Sequence, residues 1–270
     1  MIKNVIIIND FAHVNGGAGQ VALSSAVGLA RSGYRVLVFS AVRPIMPELL
    51  ENGVEVVCTG QDEILKNPNR LQAAVQGLWN LKAAHMLSEK LDTCEKTNTV
   101  VHVHSWTKAL SSSVVRMAIK KDFKVVCTLH DYFTACPNGG FYNYQTNKVC
   151  DVRPLSLRCI AQHCDVRSYS QKNWRVARQF IQKSFGLIPG GIRHYICVSD
   201  FSLNIIKPYL PSRAKLYSVS NPIESKQEAP VEVSKNTLCG SGPPFKRKRL
   251  FVACRSSQEE WLPRVVYWRW

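Results

Sequence analysis

Seven short apolar runs, each followed by a helical or irregular stretch, constrain this chain more than any other feature of its sequence. Ile2 to Ile8 is a continuous, largely β-branched run, the pattern of a strand buried on both faces. Arg35 to Ser40, Val54 to Cys58, Thr99 to Val103, Lys124 to Leu129, Arg193 to Val198 and Lys215 to Val219 repeat it. Between them the spacing turns helical. Val21, Leu23, Ala26, Val27 and Ala30 share one face of a helix over 20–32, which Gly33 stops. Further helices are expected over 69–90, 108–120 and 170–185, and after Ser199. This alternation predicts an α/β fold built on a doubly wound parallel sheet with right-handed crossovers. A Cys-rich loop insertion, 130–165, interrupts it, and an irregular tail follows it.

Such sheets bind ligands beyond the carboxyl ends of their strands, so each strand end is a candidate site. The first runs into Asn9-Asp10 and the loop Gly16-Gly17-Ala18-Gly19. Glycines there let backbone amides approach a ligand, and the following helix N-terminus favours an anion. The spacing matches neither the dinucleotide fingerprint nor a P-loop, and a plain tight turn explains it equally well. The strand at Thr99 ends in His102-Val103-His104, with both imidazoles on one face. The strand at Lys124 ends in His130-Asp131, a pair suited to a general base or to sugar hydroxyls. Ser199 has the chemistry and position of a helix cap, and Asn221-Pro222 ends the last strand.

The chain has 10 Cys in 270 residues. Met1 to Asn9 is too short for a signal peptide, so a cytoplasmic location with reduced thiols is expected. Cys136, Cys150, Cys159 and Cys164 share the irregular insertion, with 13, 8 and 4 residues between them. Four thiolates can enclose a structural zinc, although these spacings are not the usual paired knuckles, and unligated cysteines fit equally well. Lys and Arg number 35 against 19 acids, a net charge of +16. That charge invites a nucleic-acid reading. The 40 residues from Val231 carry 8 Lys and Arg against 3 acids, and also Trp261, Trp268 and Trp270. A basic run such as "FKRKR" is most simply a solvated tail, and no nucleic-acid module precedes it.

In order, the Gly16–Gly19 loop, "SGYRVLVFS", "VVHVHSW", "VVCTLHDYFTACPNG", "YICVSDFS" and "VSNPIE" resemble the N-terminal domain of a family 4 glycosyltransferase. That is the retaining group with the GT-B fold, two facing Rossmann-like domains with the reaction in the cleft. The resemblance covers about residues 1–224 and leaves 225–270 as linker and tail. It implies a nucleotide-sugar donor, a glycan or lipid-linked acceptor, and no metal for catalysis. It places His130 at the reaction centre with Asp131 and His104 in support. It sets Gly16, Gly17, Ala18 and Gly19 near the donor diphosphate or acceptor, and Ser199 and Asn221 near the cleft. The basic body fits peripheral attachment to an anionic membrane surface, at its inner face.

A donor-binding second domain needs well over a hundred residues after the Asn-Pro, and the tail does not show that pattern. Shifted by one base, the codons of Gly242 to Arg249 can encode Gly-Arg-Leu-Ser-Lys-Glu-Lys-Gly, which resembles the opening of the family's second domain. An out-of-frame tail from about Cys239 is therefore expected, with the chain a truncated transferase. Inactivity alone, or a non-catalytic half that binds acceptor or a partner, is the competing expectation. A nucleic-acid-binding basic protein ranks last.

Overall fold

The structure is a computed structural model. It describes residues 1–221 and, beyond them, the backbone of three strands at 237–240, 250–255 and 261–266. Two compact units divide the chain, Met1–Pro222 and Ile223–Trp270.

The first unit is built on a seven-stranded sheet. Its strands are β1 (Asn4–Ile8), β2 (Arg35–Ser40), β3 (Glu55–Cys58), β4 (Thr99–Val103), β5 (Lys124–Leu129), β8 (His194–Cys197) and β9 (Lys215–Ser218), all paired in parallel. Their order is β3-β2-β1-β4-β5-β8-β9, the reversal at β1 being the mark of a doubly wound, Rossmann-like sheet. Strand β1 shows why the sequence builds it. Val5 and Ile7 pack into one core cluster, Ile6 and Ile8 into the other, so a single apolar run anchors both faces. Each fully buried isoleucine contributes roughly 1.5–3 kcal/mol.

Helix α1 (Gly17–Arg31) buries Ala22, Leu23, Ala26 and Val27 against the sheet. Gly33, at φ +88°, then turns the chain into β2. The expected helix over 69–90 is instead two: after the short α2 (Pro47–Glu51), α3 spans Arg70–Leu78 and α4 spans Leu81–Asp92. Asn80 breaks the run. Its side chain accepts from the Ala83 N–H at 3.0 Å and donates to the Ala109 carbonyl at 2.9 Å, and its own N–H donates to Ser111 Oγ at 2.9 Å. A buried polar network here overrides helical periodicity.

The expected helix over 108–120 begins only at Ser113, as α5 (Ser113–Lys120), because Asp10 claims the preceding amides. The insertion after β5 holds a two-stranded hairpin, β6 (Tyr142–Asn143) and β7 (Lys148–Val149), and α6 (Leu157–Ala161). Helices α7 (Tyr169–Ser184) and α8 (Asp200–Ile206) complete the unit.

The second unit contains an antiparallel sheet of β10 (Thr237–Gly240), β11 (Leu250–Arg255) and β12 (Trp261–Val266). The tail expected to be irregular thus contains three strands, in line with runs such as Leu250-Phe251-Val252 that favour extended pairing. The peptide tied to the shifted reading frame, Gly242–Arg249, lies outside the described residues.

Candidate functional site

The carboxyl ends of β1, β4 and β5 lie side by side in the sheet and bring five polar residues to one edge. Asn9 and Asp10 follow β1, His104 follows β4, and His130 and Asp131 follow β5. His104 Nδ1 lies 2.9 Å from His130 Nε2, and the two rings stack with centroids 5.2 Å apart. His102 shares the face expected for it. Its ring centroid is 4.1 Å from that of His104, and its Nε2 bonds Thr128 Oγ1 at 2.7 Å.

Burial pushes the His102 pKa down to about 4, with His130 adding to the shift, and burial alone takes His130 to about 4. Burial also holds His104 well below its ordinary value, His102 and His130 contributing. The cluster is therefore neutral at physiological pH. The bonding pattern favours one tautomer for the His104–His130 pair. His104 Nε2 is buried with no partner among the described residues. A lone buried acceptor is cheaper than a lone buried N–H, so His104 carries its proton on Nδ1 and donates it to His130 Nε2. In that tautomer His130, itself half-buried, carries its proton on Nδ1, a neutral donor.

Asp131 keeps solvent contact on a concave, crowded edge. Desolvation raises its pKa, while the Phe133 N–H, at 2.9 Å from Oδ1, Arg178 and Lys108 draw it down. Asp10 is a residue whose role the sequence reading missed. Fully buried, its carboxylate accepts the N–H groups of Lys108 at 3.0 Å and of Ala109 and Leu110 at 2.9 Å. Burial pushes its pKa up, and these amides and Ser105 pull against that. The sequence signal was there: an acid directly after a fully buried strand needs a dedicated set of donors. Asn9 ties the edge together, since the Ser105 hydroxyl donates to its Oδ1 at 2.8 Å and its own Nδ2 donates to the Phe11 carbonyl at 2.8 Å.

The glycine loop sits beside this network. Gly16 has φ +88°, so only glycine fits without strain, and a Cβ at Gly19 would stand 3.9 Å from Asn9 Nδ2. A Cβ at Gly16 or Gly17 meets nothing within 4 Å. No side chain caps the N-terminus of α1, which leaves its first amides facing that open side near Ala18.

Ser199 and Asn221 stand apart from this cluster. Ser199 Oγ accepts the Ser202 N–H at 3.2 Å as the cap of α8, and Asn221 is exposed past the end of β9. Neither is hydrogen-bonded to the histidines or Asp131 among the described residues.

The insertion does draw its cysteines together: Cys136, Cys150 and Cys159 all act electrostatically on Cys164, whose pKa burial raises to about 11. Their partners are other groups, however. Cys136 Sγ donates to Asn138 Oδ1 at 3.1 Å, Asn138 Nδ2 lies 3.4 Å from Cys164 Sγ, and Lys172 Nζ lies 3.6 Å from Cys159 Sγ. His163, beside Cys164, stacks at a tilt on Tyr169. Among the described residues no three His, Cys, Asp or Glu side chains are arranged to hold a metal ion. Asn138 thus contacts the thiols of Cys136 and Cys164, and Lys172 contacts that of Cys159.

A family model described as Glycosyltransferase Family 4 matches residues 15–227. The chain belongs to Glycosyltransferase Family 4. No curated protein matches it in sequence. Among solved structures, it is similar to a glycosyltransferase from Rickettsia africae ESF-5, at 14% identity over 81% of this chain and 43% of that one, with a TM-score of 0.44. A Medicago truncatula protein complexed with UDP-glucose is 10% identical over 81% of this chain and 51% of that one, with a TM-score of 0.47. MurG of Acinetobacter baumannii is 11% identical over 85% and 50%, with a TM-score of 0.38. The chain spans about half the length of these structures. Among the described residues of this glycosyltransferase-family chain, no helix is long and apolar enough to cross a membrane.

Proposed function

We propose that this chain is the acceptor-side half of a retaining glycosyltransferase that moves a sugar from a nucleotide-sugar donor to a glycan or lipid-linked acceptor. The observation that carries the reading is the His104–His130 pair, neutral and hydrogen-bonded, at the strand edge beside an uncapped helix N-terminus. In this reading His130 is the catalytic contact: its Nδ1–H donates to an oxygen of the transferred sugar. His104 fixes that tautomer, and Asp131 supports the site with its carboxylate. Departure of the leaving group places charge on a diphosphate. The backbone amides of Gly17, Ala18 and Gly19, with the positive end of α1 behind them, offset that charge without reorganising. Ser199 and Asn221 serve the cleft through backbone placement, since the Ser199 side chain is already used as a cap. A basic body fits work at an anionic membrane face.

A second reading is an acceptor-binding domain without turnover of its own. One assay separates them. Purified chain is given UDP-glucose and related nucleotide sugars, and release of nucleotide is followed. Turnover lost in His130→Ala supports the enzyme; nucleotide sugar left intact alongside measurable glycan binding supports the binding half.

A further inference from the structure

A cavity with a largely apolar wall opens on the same edge, and the charged groups in its lining are mostly cations. It has a volume of about 160 Å³ and is lined by Lys108 from the segment after β4, Phe133 from the segment after β5, and Arg167, Trp174, Arg175 and Arg178 from α7 and its approach. Arg178 is 7% exposed. Its guanidinium carbon stands 5.0 Å from the Phe133 ring centroid and 5.2 Å from that of Trp174. Trp174 is itself pinned, its Nε1–H donating to the Ala74 carbonyl at 3.2 Å. Gly77 lets α3 pass so close that a Cβ there would lie 2.5 Å from the Trp174 ring. Arg178 Nη1 donates to the Thr107 carbonyl at 3.0 Å, but Nη2 is buried with no partner among the described residues.

Asp131, Asp10 and Asp165 act on Arg178 through space, but no neighbouring group hydrogen-bonds Nη2 among the described residues. Arg175 is committed to Asp165 at 2.9 Å, and Glu63, the cavity's one acid, pairs with Lys66 at 3.6 Å. Lys108 lies over the Phe11 ring at 5.4 Å, and neither Lys108, Arg167 nor Arg178 pairs with a carboxylate among the described residues. A buried guanidinium held rigidly between two rings, with one N–H that no described group accepts, lacks a hydrogen bond that an oxyanion would supply.

We propose that this cavity is an oxyanion subsite, taking a phosphate or carboxylate group of the acceptor with Arg178 Nη2 as its central donor and Lys108 and Arg167 at its rim. The anion site stands on its own geometry; the word acceptor rests on the function proposed above.

Titration calorimetry of the full chain with inorganic pyrophosphate, with D-glucuronate and with neutral D-glucose, at matched chloride, tests it. One of the two anions should bind at one per chain and glucose should not, and the better anion tells phosphate from carboxylate. Arg178→Gln should abolish that binding. Lys108→Ala and Arg167→Ala, both at exposed positions that leave the fold intact by circular dichroism, should each weaken it about tenfold. No anion binding above the chloride control, or binding that survives all three substitutions, overturns the subsite. Anion binding in a chain without nucleotide-sugar turnover leaves the subsite standing and removes the transferase reading. Transfer to an anionic acceptor with KM unchanged in Lys108→Ala and Arg167→Ala does the reverse.

Discussion

The histidine edge and the cysteine-bearing insertion both crowd titratable side chains together, and they do so in opposite ways. At the edge, rigid parallel strands aim His102, His104 and His130 at one another, and the outermost ring keeps a nitrogen for a ligand. In the insertion, side chains rather than strands do the positioning. Asn138 donates to the Tyr142 and Cys164 carbonyls at 2.8 and 3.3 Å and turns the neighbouring thiols inward upon itself. The first arrangement leaves donors unused, the second consumes them. A cluster of reactive residue types thus indicates chemistry only where the backbone, and not the cluster itself, holds it in place.

The sharpest way to break this contrast is to loosen the frame under the histidines. Asp10→Ala would leave three amides without their acceptor, the buried ones of Ala109 and Leu110 and the part-buried one of Lys108. Urea unfolding should show a loss of about 4 kcal/mol, since each orphaned donor costs about 1–3 kcal/mol and the three are not additive. A loss under about 1 kcal/mol would show that the strand ends are held by other contacts.

Next in size is the pH response. The folded rings of His102 and His130 take up protons only near pH 4, against an ordinary value of 6.5. Between those values the unfolded chain binds more protons, so stability rises with pH across that window and falls on acidification through it. Asp10 and Asp131 work in the opposite sense, because their pKa values are raised above 3.8 and the folded carboxyls keep protons longer. A comparison with His102→Gln isolates the imidazole share. Chemical denaturation at pH 4.5 and 7 should differ by about 2 kcal/mol less in the variant, the full shift being reduced for partial solvent screening. Equal pH slopes in the two proteins would mean that the rings are not desolvated.

The sheet was legible because its central strand is apolar on both faces, as Val5 to Ile8 shows, and short β-branched runs of that kind recur between helical stretches. The site was legible only by position, as strand ends bearing His104 and His130. Asp10 was not, because its role depends on amides 98 to 100 residues away. The Asn80 break escaped for the same reason, since its partners Ala109 and Ser111 come from another segment. Local periodicity reports burial; it does not report which distant backbone groups lack a partner.

On the insertion side the expected effects are smaller. Cys164→Ala removes a thiol that Asn138 holds at 3.4 Å and opens a small gap among buried groups. A loss of about 1–2 kcal/mol in urea is expected. A larger loss, with the remaining cysteines becoming open to alkylation in the folded state, would show that the thiols act as one cooperative unit.

The smallest effect is expected at Lys172, and it decides most about the contrast. This lysine is fully buried, and its Nζ donates to the Cys159 carbonyl at 2.8 Å with the Cys159 thiol 3.6 Å away; no carboxylate pairs with it among the described residues. If the surrounding thiols are neutral, the ammonium has no counter-charge there. Replacing it by an apolar side chain of similar length then removes a desolvation cost along with one hydrogen bond, and the two nearly cancel. Lys172→Met should therefore unfold within about 1 kcal/mol of the wild type. A loss of several kcal/mol, or zinc retained at one per chain in the purified protein, would mean that the cysteines are anionic in the folded state. The insertion would then hold its own charged centre, with Lys172 as its counter-ion, and the opposition between a working edge and an inert insertion would fail.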